Sequence, residues 1–337
     1  MVTIYDIAKV AKVSGATVSK ALNDHSDISD KTKVRIKKLA VEMEYQPNSH
    51  ARSLITKRSY NIGVLFADES NSGLTHAFFA AILESARAEL EERGYDITFI
   101  SSKFAKQKNA SFLEHCRYRG VDGVIIACID FNAEDVIQLI NSNIPVVLID
   151  KEIAGKSSII SQNHEGVKRA VNHLVENGHK DIGFIHGQYT STEVTPHRIS
   201  GFYEAMQEAN IKPNKNWIME GAYYEWEVTA KSCEKILKMK HRPTALLLPD
   251  DYAALAVYRT ASQLNIRIPE DISLVGYDGL EFSRIMTPRL TTIKQDTEMI
   301  GKLAGEKIVN LIENNQKQQV IYVPTVILEG SSVKKLN

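Results

Sequence analysis

The sequence has little cysteine and no long apolar run. Its three cysteines, Cys116, Cys128 and Cys233, are scattered and lack the spacing of a metal site or a disulfide framework. No apolar stretch reaches the roughly 18 residues of a membrane-spanning helix. The first eleven residues are too polar for a secretion signal. These absences exclude a membrane protein and a disulfide-rich secreted domain, and they predict a reduced, cytoplasmic protein.

The motifs of common enzyme classes are also missing. Neither G-x-G-x-x-G nor G-x-x-x-x-G-K-[ST] occurs, which argues against a dehydrogenase or a kinase that cradles phosphates. His173 and His179 are too far apart for a zinc pair on one helix. The sequence therefore predicts no enzyme, no catalytic residues, no metal and no cofactor.

Charge is distributed unevenly along a chain that is neutral as a whole, with 41 basic and 41 acidic residues. Residues 1–60 hold 11 basic and 6 acidic residues, a net charge of +5, so the remainder carries −5. A basic head on an acidic body is expected when only one end of a protein meets phosphates. The asymmetry favours nucleic-acid binding by the head.

Three short amphipathic helices are predicted in the head. Thr3 can cap the first helix, with Asp6 as a weaker capping-box partner, and Ser14 is the cap candidate of the second. The third begins at Ser29 or Asp30, and Pro47 stops it. Their apolar positions at helical spacing are Ile4, Ile7, Ala8, Ala11, Val18, Ala21, Leu22, Ile36, Leu39, Ala40 and Met43. Helices this short are unstable alone, so the three must share one core.

The outer face of the second helix stays free of that core. Gly15, Ala16, Thr17 and Lys20 point away from Val18, where a helix in a major groove presents its first turns to base edges. Periodicity alone fits a generic three-helix bundle equally well. The charge asymmetry tips the interpretation toward DNA binding.

Several motifs carry a family resemblance. They are Val2-Thr-Ile-Tyr-Asp-Ile-Ala8, Val13-Ser-Gly-Ala-Thr-Val-Ser19, Tyr45-Gln-Pro-Asn-Ser-His-Ala-Arg-Ser-Leu54, Asn61-Ile-Gly-Val64, Arg119-Gly-Val-Asp-Gly-Val124, Asn177-Gly-His-Lys-Asp-Ile182, Val275-Gly-Tyr-Asp278 and Thr287-Pro-Arg-Leu-Thr-Thr292. In this order and spacing the chain, from residue 2 to about residue 332, closely resembles the lactose/galactose repressor family of bacterial transcription regulators. The resemblance implies a helix-turn-helix head and a two-lobe effector-binding body.

The resemblance also implies a set of DNA-binding residues. Gly15, Ala16 and Lys20 fall at base-reading positions, and Lys20 can donate to guanine acceptors. Residues 48–56 match a hinge that becomes helical on the operator, and Leu54 matches an apolar wedge inserted into the minor groove. The alternative for Leu54 is an ordinary linker residue. The complete implied set is Thr3, Tyr5, Ser14, Gly15, Ala16, Thr17, Ser19, Lys20, Asn23, Tyr45, Asn48, Ala51, Arg52 and Leu54.

The body alternates short apolar runs with amphipathic stretches. Buried parallel strands are predicted at Ile62–Phe66, Ile97–Ile100, Val124–Cys128, Val146–Ile149, Ile182–Ile185, Ala245–Leu248 and Leu274–Tyr277. Two series of strand-helix units predict two doubly wound α/β lobes. With the resemblance to a periplasmic-binding-protein-like fold, the tail after Leu290 should complete both sheets. The predicted divisions are a head at 1–47, a hinge at 48–60, one lobe at 61–163 plus 293–324, and another at 164–292 plus 325–337.

Polar residues that follow these strands predict a cleft between the lobes. The resemblance places Arg198, Asp250 and Asp278 at effector contacts, and carboxylates with a guanidinium fork suit a polyol. Tyr223 is either a flat ring against the ligand or a core residue, and Asp251 a helix cap. The predicted effector set is Asp150, Lys151, Arg198, Tyr223, Asp250 and Asp278.

Two departures from the family bear on the ligand. Lys151 replaces an aromatic residue of purine-sensing members, which argues against a nucleobase and allows an acidic or phosphorylated sugar. The segment 68–79 is longer than the usual loop, so its contacts are not assigned.

The function predicted from these observations is a sequence-specific DNA-binding transcription regulator, a repressor, controlled by a sugar or sugar derivative. Its predicted partners are a pseudo-palindromic double-stranded operator, the effector and a second copy of the chain. A dimer is expected because no leucine-heptad extension follows Leu328. The alternatives are a two-lobe sugar-binding protein without a gene-regulatory role, and a regulator that responds to a nucleobase or a protein corepressor.

Overall fold

The computed structural model describes residues 2–22, 24–45, 58–67, 73–101, 110–314 and 316–336. The chain divides into two compact units, residues 1–59 and 60–337. Five predicted DNA-binding residues lie outside the described residues: Asn23, Asn48, Ala51, Arg52 and Leu54. The predictions of a hinge helix and of a Leu54 wedge therefore stay predictions.

The first unit contains the three predicted helices, α1 Ile4–Ala11, α2 Gly15–Leu22 and α3 Asp30–Glu42. The predicted cap of α1 is confirmed, since Thr3 accepts from the Asp6 amide and Asp6 accepts from the Thr3 amide at 2.8 Å. The Ser14 hydroxyl accepts from the Thr17 amide at 3.1 Å and so begins α2. The helices share one core, which consists of Ile7, Ala8, Ala11, Val18, Ala21, Ile36 and Ala40.

The third helix ends five residues before Pro47, the residue predicted to stop it. It stops at Glu42, and Met43 is its C-cap. Glu44 then has a φ of 52°, a left-handed conformation that turns the chain out of the helix. The prediction that Pro47 stops α3 is therefore wrong, because the chain leaves the helix several residues before the proline.

The first lobe of the second unit is built on a fully parallel six-stranded sheet of order β11-β5-β4-β3-β1-β2. Its strands are β1 Asn61–Phe66, β2 Asp96–Ile100, β3 Gly123–Ala127, β4 Val146–Ile149, β5 Ser157–Ser161 and β11 Val320–Val323. Among the described residues of this lobe, the helices that cover the sheet are α4 Ala77–Glu92, α5 Phe112–Arg119, α6 Glu134–Ile140 and α11 Thr297–Glu313. Along β3, Ile125 packs with α4 and α11, whereas Val124 and Ile126 pack with α5 and α6. Coverage on both faces explains why β3 and β4 are apolar throughout.

The second lobe has a six-stranded sheet of order β12-β10-β9-β8-β6-β7, in which only the pairing of β12 with β10 is antiparallel. Its strands are β6 Ile182–His186, β7 Ile218–Glu220, β8 Ala245–Leu247, β9 Ser273–Asp278, β10 Thr291–Gln295 and β12 Thr325–Leu328. Its helices are α7 Asn163–Glu176, α8 Val194–Glu208, α9 Trp226–Leu237 and α10 Asp251–Gln263. One core lies under α7 and α8, and the other lies under α9 and α10.

The chain crosses between the lobes three times, after β5, after β10 and after β11. The expected completion of both sheets by the tail is confirmed, because β11 joins the first sheet and β12 the second. The boundary predicted at 292/293 needs correction. It falls inside β10, and Ile293 and Lys294 still pair with β9 in the second sheet, so the crossover follows Gln295. Among the described residues, no helix is long and apolar enough to cross a membrane.

Candidate functional site

A cavity of about 140 Å³ lies between the two lobes, where the carboxyl ends of the strands of both sheets meet. This edge of a doubly wound sheet is where ligands bind in such folds. The first lobe lines the cavity with His76, Phe78, Phe79, Cys128, Ile129, Ile149 and Asp150. The second lobe and the crossover add Gln188, Thr190, Thr192, Val194, Arg198, Tyr223, Tyr224, Asp278 and Gln295.

Four lining residues have an unusual backbone conformation. The φ angles are 50° at Cys128, 55° at Asp150, 56° at Tyr224 and 108° at Asp278. Non-glycine residues adopt positive φ at a cost of about 1–3 kcal/mol and do so preferentially at functional sites. Each of the four ends or follows a strand, so the strained turns direct their side chains around the cavity.

Arg198 is the fixed cation of the site. It projects from α8 and is 5 % exposed. Its Nε donates to Asn163 Oδ1 at 2.8 Å, its Nη1 donates to the Pro249 carbonyl at 2.7 Å, and the guanidinium lies 3.6 Å from the centre of the Tyr277 ring. These contacts hold the guanidinium in one orientation before a ligand arrives.

Two carboxyl groups, those of Asp150 and Asp278, line the cavity together with this cation. Asp150 Oδ1 accepts from the Ser161 amide at 3.2 Å, and burial raises the pKa of Asp150 to about 6. Asp278 Oδ1 accepts from Gln295 Nε2 at 2.7 Å. Burial raises the pKa of Asp278 as well; the Arg198 guanidinium opposes this shift and the Asp250 carboxyl adds to it. Both carboxyls are therefore poised to exchange hydrogen bonds with a ligand.

The Asp150 pKa predicts a pH-dependent stability. The pKa of Asp150 in the folded state is about 6, above its ordinary value of 3.8. The protonated group therefore stabilises the folded state fully below about pH 4, and this stabilisation is lost as the pH rises to about 6. We expect the wild type to lose stability relative to Asp150→Asn between about pH 4 and pH 6. Urea unfolding of both proteins across this range measures the difference. Parallel stability curves would contradict the assignment.

Gln295 presents a buried acceptor to the cavity. Its side chain is 2 % exposed, and its Oε1 has no hydrogen-bond partner in the described structure, although its Nε2 is bonded to Asp278. A buried polar atom without a partner is costly, which indicates that a ligand donor completes it. Sequence reasoning missed Gln295, although its place at the end of β10 was an available signal.

Tyr223 lines the cavity with its ring held in place. The ring packs over Gly187, where a Cβ atom would lie 2.1 Å from it, so a larger residue would displace the ring. Its hydroxyl bonds to the Thr195 hydroxyl at 2.8 Å, and its amide donates to Gln188 Oε1 at 2.6 Å. The neighbouring Tyr224 bridges the lobes, since it stacks on His76 at 3.5 Å and accepts from the Phe78 amide at 3.2 Å.

Two predicted contact residues, Asp250 and Lys151, are not among the residues that line the cavity. The carboxyl of Asp250 is bonded by backbone amides, those of Ala253 at 2.6 Å and Tyr224 at 2.9 Å, and it caps α10. Lys151 instead pairs with Glu193 of the opposite lobe. Asp251 does not cap α10, contrary to the prediction: its carboxyl group accepts from the Leu280 amide and the Thr292 hydroxyl.

The predicted DNA-binding face of the head is accessible where the structure describes it. Tyr5 is 74 % exposed, and Ala16 and Lys20 are exposed on α2, where the Lys20 ammonium pairs with Asp27. The Tyr5 ring lies against Gly15, at 3.2 Å from where a Cβ atom would be. Thr17 and Ser19 are partly buried, and Tyr45 packs against the head core.

The sequence matches two protein-family models and several full-length relatives. Residues 3–48 match the model of bacterial regulatory proteins of the lacI family, and residues 171–333 match a periplasmic binding protein-like domain. The chain is 35% identical over 340 residues to the HTH-type transcriptional repressor PurR of Aliivibrio salmonicida, and the match covers 100% of both chains. It is 31% identical over 339 residues to the probable HTH-type transcriptional repressor ExuR of Bacillus subtilis, covering 100% of this chain and 99% of that one.

The chain belongs to the lacI family of bacterial regulatory proteins.

A solved structure supports the family assignment. The lac repressor dimer bound to operator and the anti-inducer ONPF is 27% identical, has a TM-score of 0.81, and matches over 99% of both chains. The complex of the regulator CelR with cellobiose, at 21% identity and a TM-score of 0.73 over 98% of this chain and 100% of that one, shows the same fold. The predicted helical head followed by a two-lobe α/β core is confirmed. This lacI-family chain is a DNA-binding transcriptional regulator with an effector-binding core, and not an enzyme.

Proposed function

We propose that the chain is a cytoplasmic, homodimeric repressor that binds a pseudo-palindromic operator and is controlled by a sugar or sugar derivative between its lobes. The observation that carries the effector class is a single cavity lined by the fixed Arg198 guanidinium and by the carboxyl groups of Asp150 and Asp278. Carboxylates accept from adjacent hydroxyls, and a guanidinium donates to ring or hydroxyl oxygens. A polyol supplies both kinds of group on one small molecule.

The rest of the lining suits the same ligand class. Thr190 and Thr192 carry hydroxyls that donate or accept, and Gln295 Oε1 accepts. Phe79 and Ile149 supply apolar surface for the C–H face of a sugar ring. The site therefore combines convergent polar groups with an apolar wall, as small-molecule sites in proteins do.

A nucleobase is the second candidate. His76, Phe79 and Tyr223 place aromatic rings in the lining, and curated relatives at full length are named PurR. The sequence argument against a nucleobase rested on Lys151, which is paired with Glu193 and is not among the lining residues. Lys151 therefore no longer argues against a nucleobase as the effector.

The proposed mechanism is a two-state switch. The head at 1–47 reads base edges through Lys20, and the hinge at 48–60 becomes helical when two copies hold it on the operator, with Leu54 as the minor-groove wedge. Effector binding between the two lobes shifts the equilibrium. The effector changes the free energy of operator binding by no more than the difference between its binding free energies for the operator-bound and free states, typically ~1–3 kcal/mol.

Selection of double-stranded DNA from a random library by the full-length protein tests the DNA half of the proposal. We expect a pseudo-palindromic sequence to be enriched. Lys20→Ala should lower its affinity ~10–100-fold, because one specific base contact contributes about 1–3 kcal/mol, and should leave non-specific affinity nearly unchanged. Lys38→Ala, on the exposed face of α3, is the control and should not change the preferred sequence. Enrichment of no sequence would contradict the proposal.

A further inference from the structure

An ion pair joins the two lobes at the rim of the cavity. Lys151 follows β4 in the first lobe, and its Nζ lies 2.6 Å from Glu193 Oε1 in the second lobe. The same Nζ donates to the Ser191 carbonyl at 2.6 Å. The Lys151 side chain is 15 % exposed and that of Glu193 is 42 % exposed, so the pair is partly shielded from solvent.

The pair lies directly beside the residues that line the cavity. Lys151 follows Asp150 in the chain, and Ser191 lies between Thr190 and Thr192; all three of these neighbours line the cavity. The Ser191 hydroxyl accepts from the Phe131 amide at 2.8 Å, which holds this loop against the first lobe. The Lys151 ammonium therefore lies next to residues that line the cavity, and Glu193 neutralises its charge there.

The cavity itself contains more acidic than basic side chains. Among the lining residues that the structure describes, Arg198 is the one guanidinium or ammonium, and Asp150 and Asp278 are carboxyls. Asp250 and Asp251 are buried immediately behind, at 1 % and 0 % exposure. Burial raises the pKa of Asp150 and Asp278, so this cavity already disfavours a carboxylate charge. An acidic ligand would bury a further carboxylate there, with Arg198, already bonded to Asn163 and the Pro249 carbonyl, as the one cation described in the lining.

We infer that Glu193 is a specificity-determining residue: by holding Lys151 at the rim, it makes the cleft select an uncharged effector over its acidic counterpart. This inference rests on the proposed effector site, and it reverses the expectation that Lys151 meets an acidic or phosphorylated sugar. Lys151 connects the two lobes, and Glu193 neutralises its positive charge.

Three variants separate the charge of the pair from its shape. Glu193→Gln keeps an oxygen acceptor for the Lys151 ammonium and so preserves the contact between the lobes, but it leaves the cation unneutralised. Lys151→Met keeps most of the apolar stem and removes the cation. The double variant Lys151→Met/Glu193→Gln has neither charge and is the matched control for both.

Ligand-dependent melting of the full-length protein tests the inference with matched probes. The pairs are glucose and glucuronate, galactose and galacturonate, and uracil and orotate, which differ chiefly in a carboxylate. We expect the wild type to be stabilised by the neutral member of a pair and not by its acid. In Glu193→Gln the affinity for the acid relative to its neutral partner should rise about tenfold, and the double variant should lose this gain.

The outcomes distinguish the two levels of the account. If an acid stabilises the wild type more than its neutral partner does, or if Glu193→Gln leaves their affinity ratio unchanged, the inference is wrong. The sugar class still stands when the probes that bind are sugars or sugar acids. If uracil binds and no sugar does, the sugar class fails, while the ratio of uracil to orotate still decides the inference. If no probe raises the melting temperature of any variant, both the sugar class and the inference are wrong, because the unpaired lysine of Glu193→Gln is expected to bind the acids.

Discussion

Ile36→Ala is expected to abolish DNA binding while the unfolding of residues 60–337 stays unchanged. Ile36 is fully buried in the head core, where the described fully buried side chains larger than alanine are Ile7, Val18 and Ile36. Truncation of a buried isoleucine to alanine costs about 2–5 kcal/mol. A domain of this size has little more stability than that, so the three helices should no longer hold together.

Calorimetry of the full-length variant and titration of the selected DNA measure this effect. We expect the melting transition of the second unit to persist without DNA binding. Val34→Ala on the same helix is the matched control, because Val34 is 67 % exposed and its truncation should change stability by at most about 0.5 kcal/mol. DNA affinity of Ile36→Ala equal to that of Val34→Ala would show that the core of the head does not control its binding.

Arg198→Ala is expected to have the largest effect on the second unit. The substitution leaves Asn163 Oδ1 and the Pro249 carbonyl without their donor and removes the counter-charge of Asp278. Breaking a buried charge network by removal of one partner costs about 3–5 kcal/mol. We expect the free energy of unfolding to fall by this order and the effector-induced rise in melting temperature to disappear.

Arg198→Lys separates the two consequences. It restores the charge but lacks the planar fork, so it should recover part of the stability and little of the effector binding. Arg284→Ala serves as the surface control, because Arg284 is 56 % exposed and its pairing with Glu281 at 3.9 Å should contribute almost nothing. Unchanged effector affinity of Arg198→Ala would show that the Arg198 guanidinium does not contact the effector.

Most strands of the body were predictable because helices bury both of their faces. β3 and β4 read as continuous apolar runs, and the sequence shows them directly. β5 was not predicted, since Ser157, Ser158 and Ser161 give it a polar sequence although every residue in it is buried. β7 was missed because only three residues form it.

Asp150 and Asp278 were predictable because they stand at the ends of strands, whereas Arg198 on α8 and Tyr223 were predicted from the family resemblance. Arg198, Asp150, Asp278 and Tyr223 line the cavity. Gln188, Thr190 and Thr192 were missed because they lie on an irregular loop after β6, where no periodicity marks an inward face.

Two roles could not be assigned from sequence for a different reason. Lys151 and Glu193 are 42 residues apart in the chain, and only the folded arrangement of the two lobes brings them together. Asp250 and Asp251 are adjacent, and a shift of one residue in the start of α10 decides which of them is the cap.

The central claim is that a ligand between the lobes controls DNA binding, and an operator titration tests it most directly. The affinity of the full-length protein for its selected operator is measured by fluorescence anisotropy, at fixed salt, with and without the compound that raises its melting temperature. The account predicts a change of about 5–150-fold in wild type and no change in Arg198→Lys, which still binds the operator. Equal operator affinities of the wild type with and without a saturating ligand would contradict it.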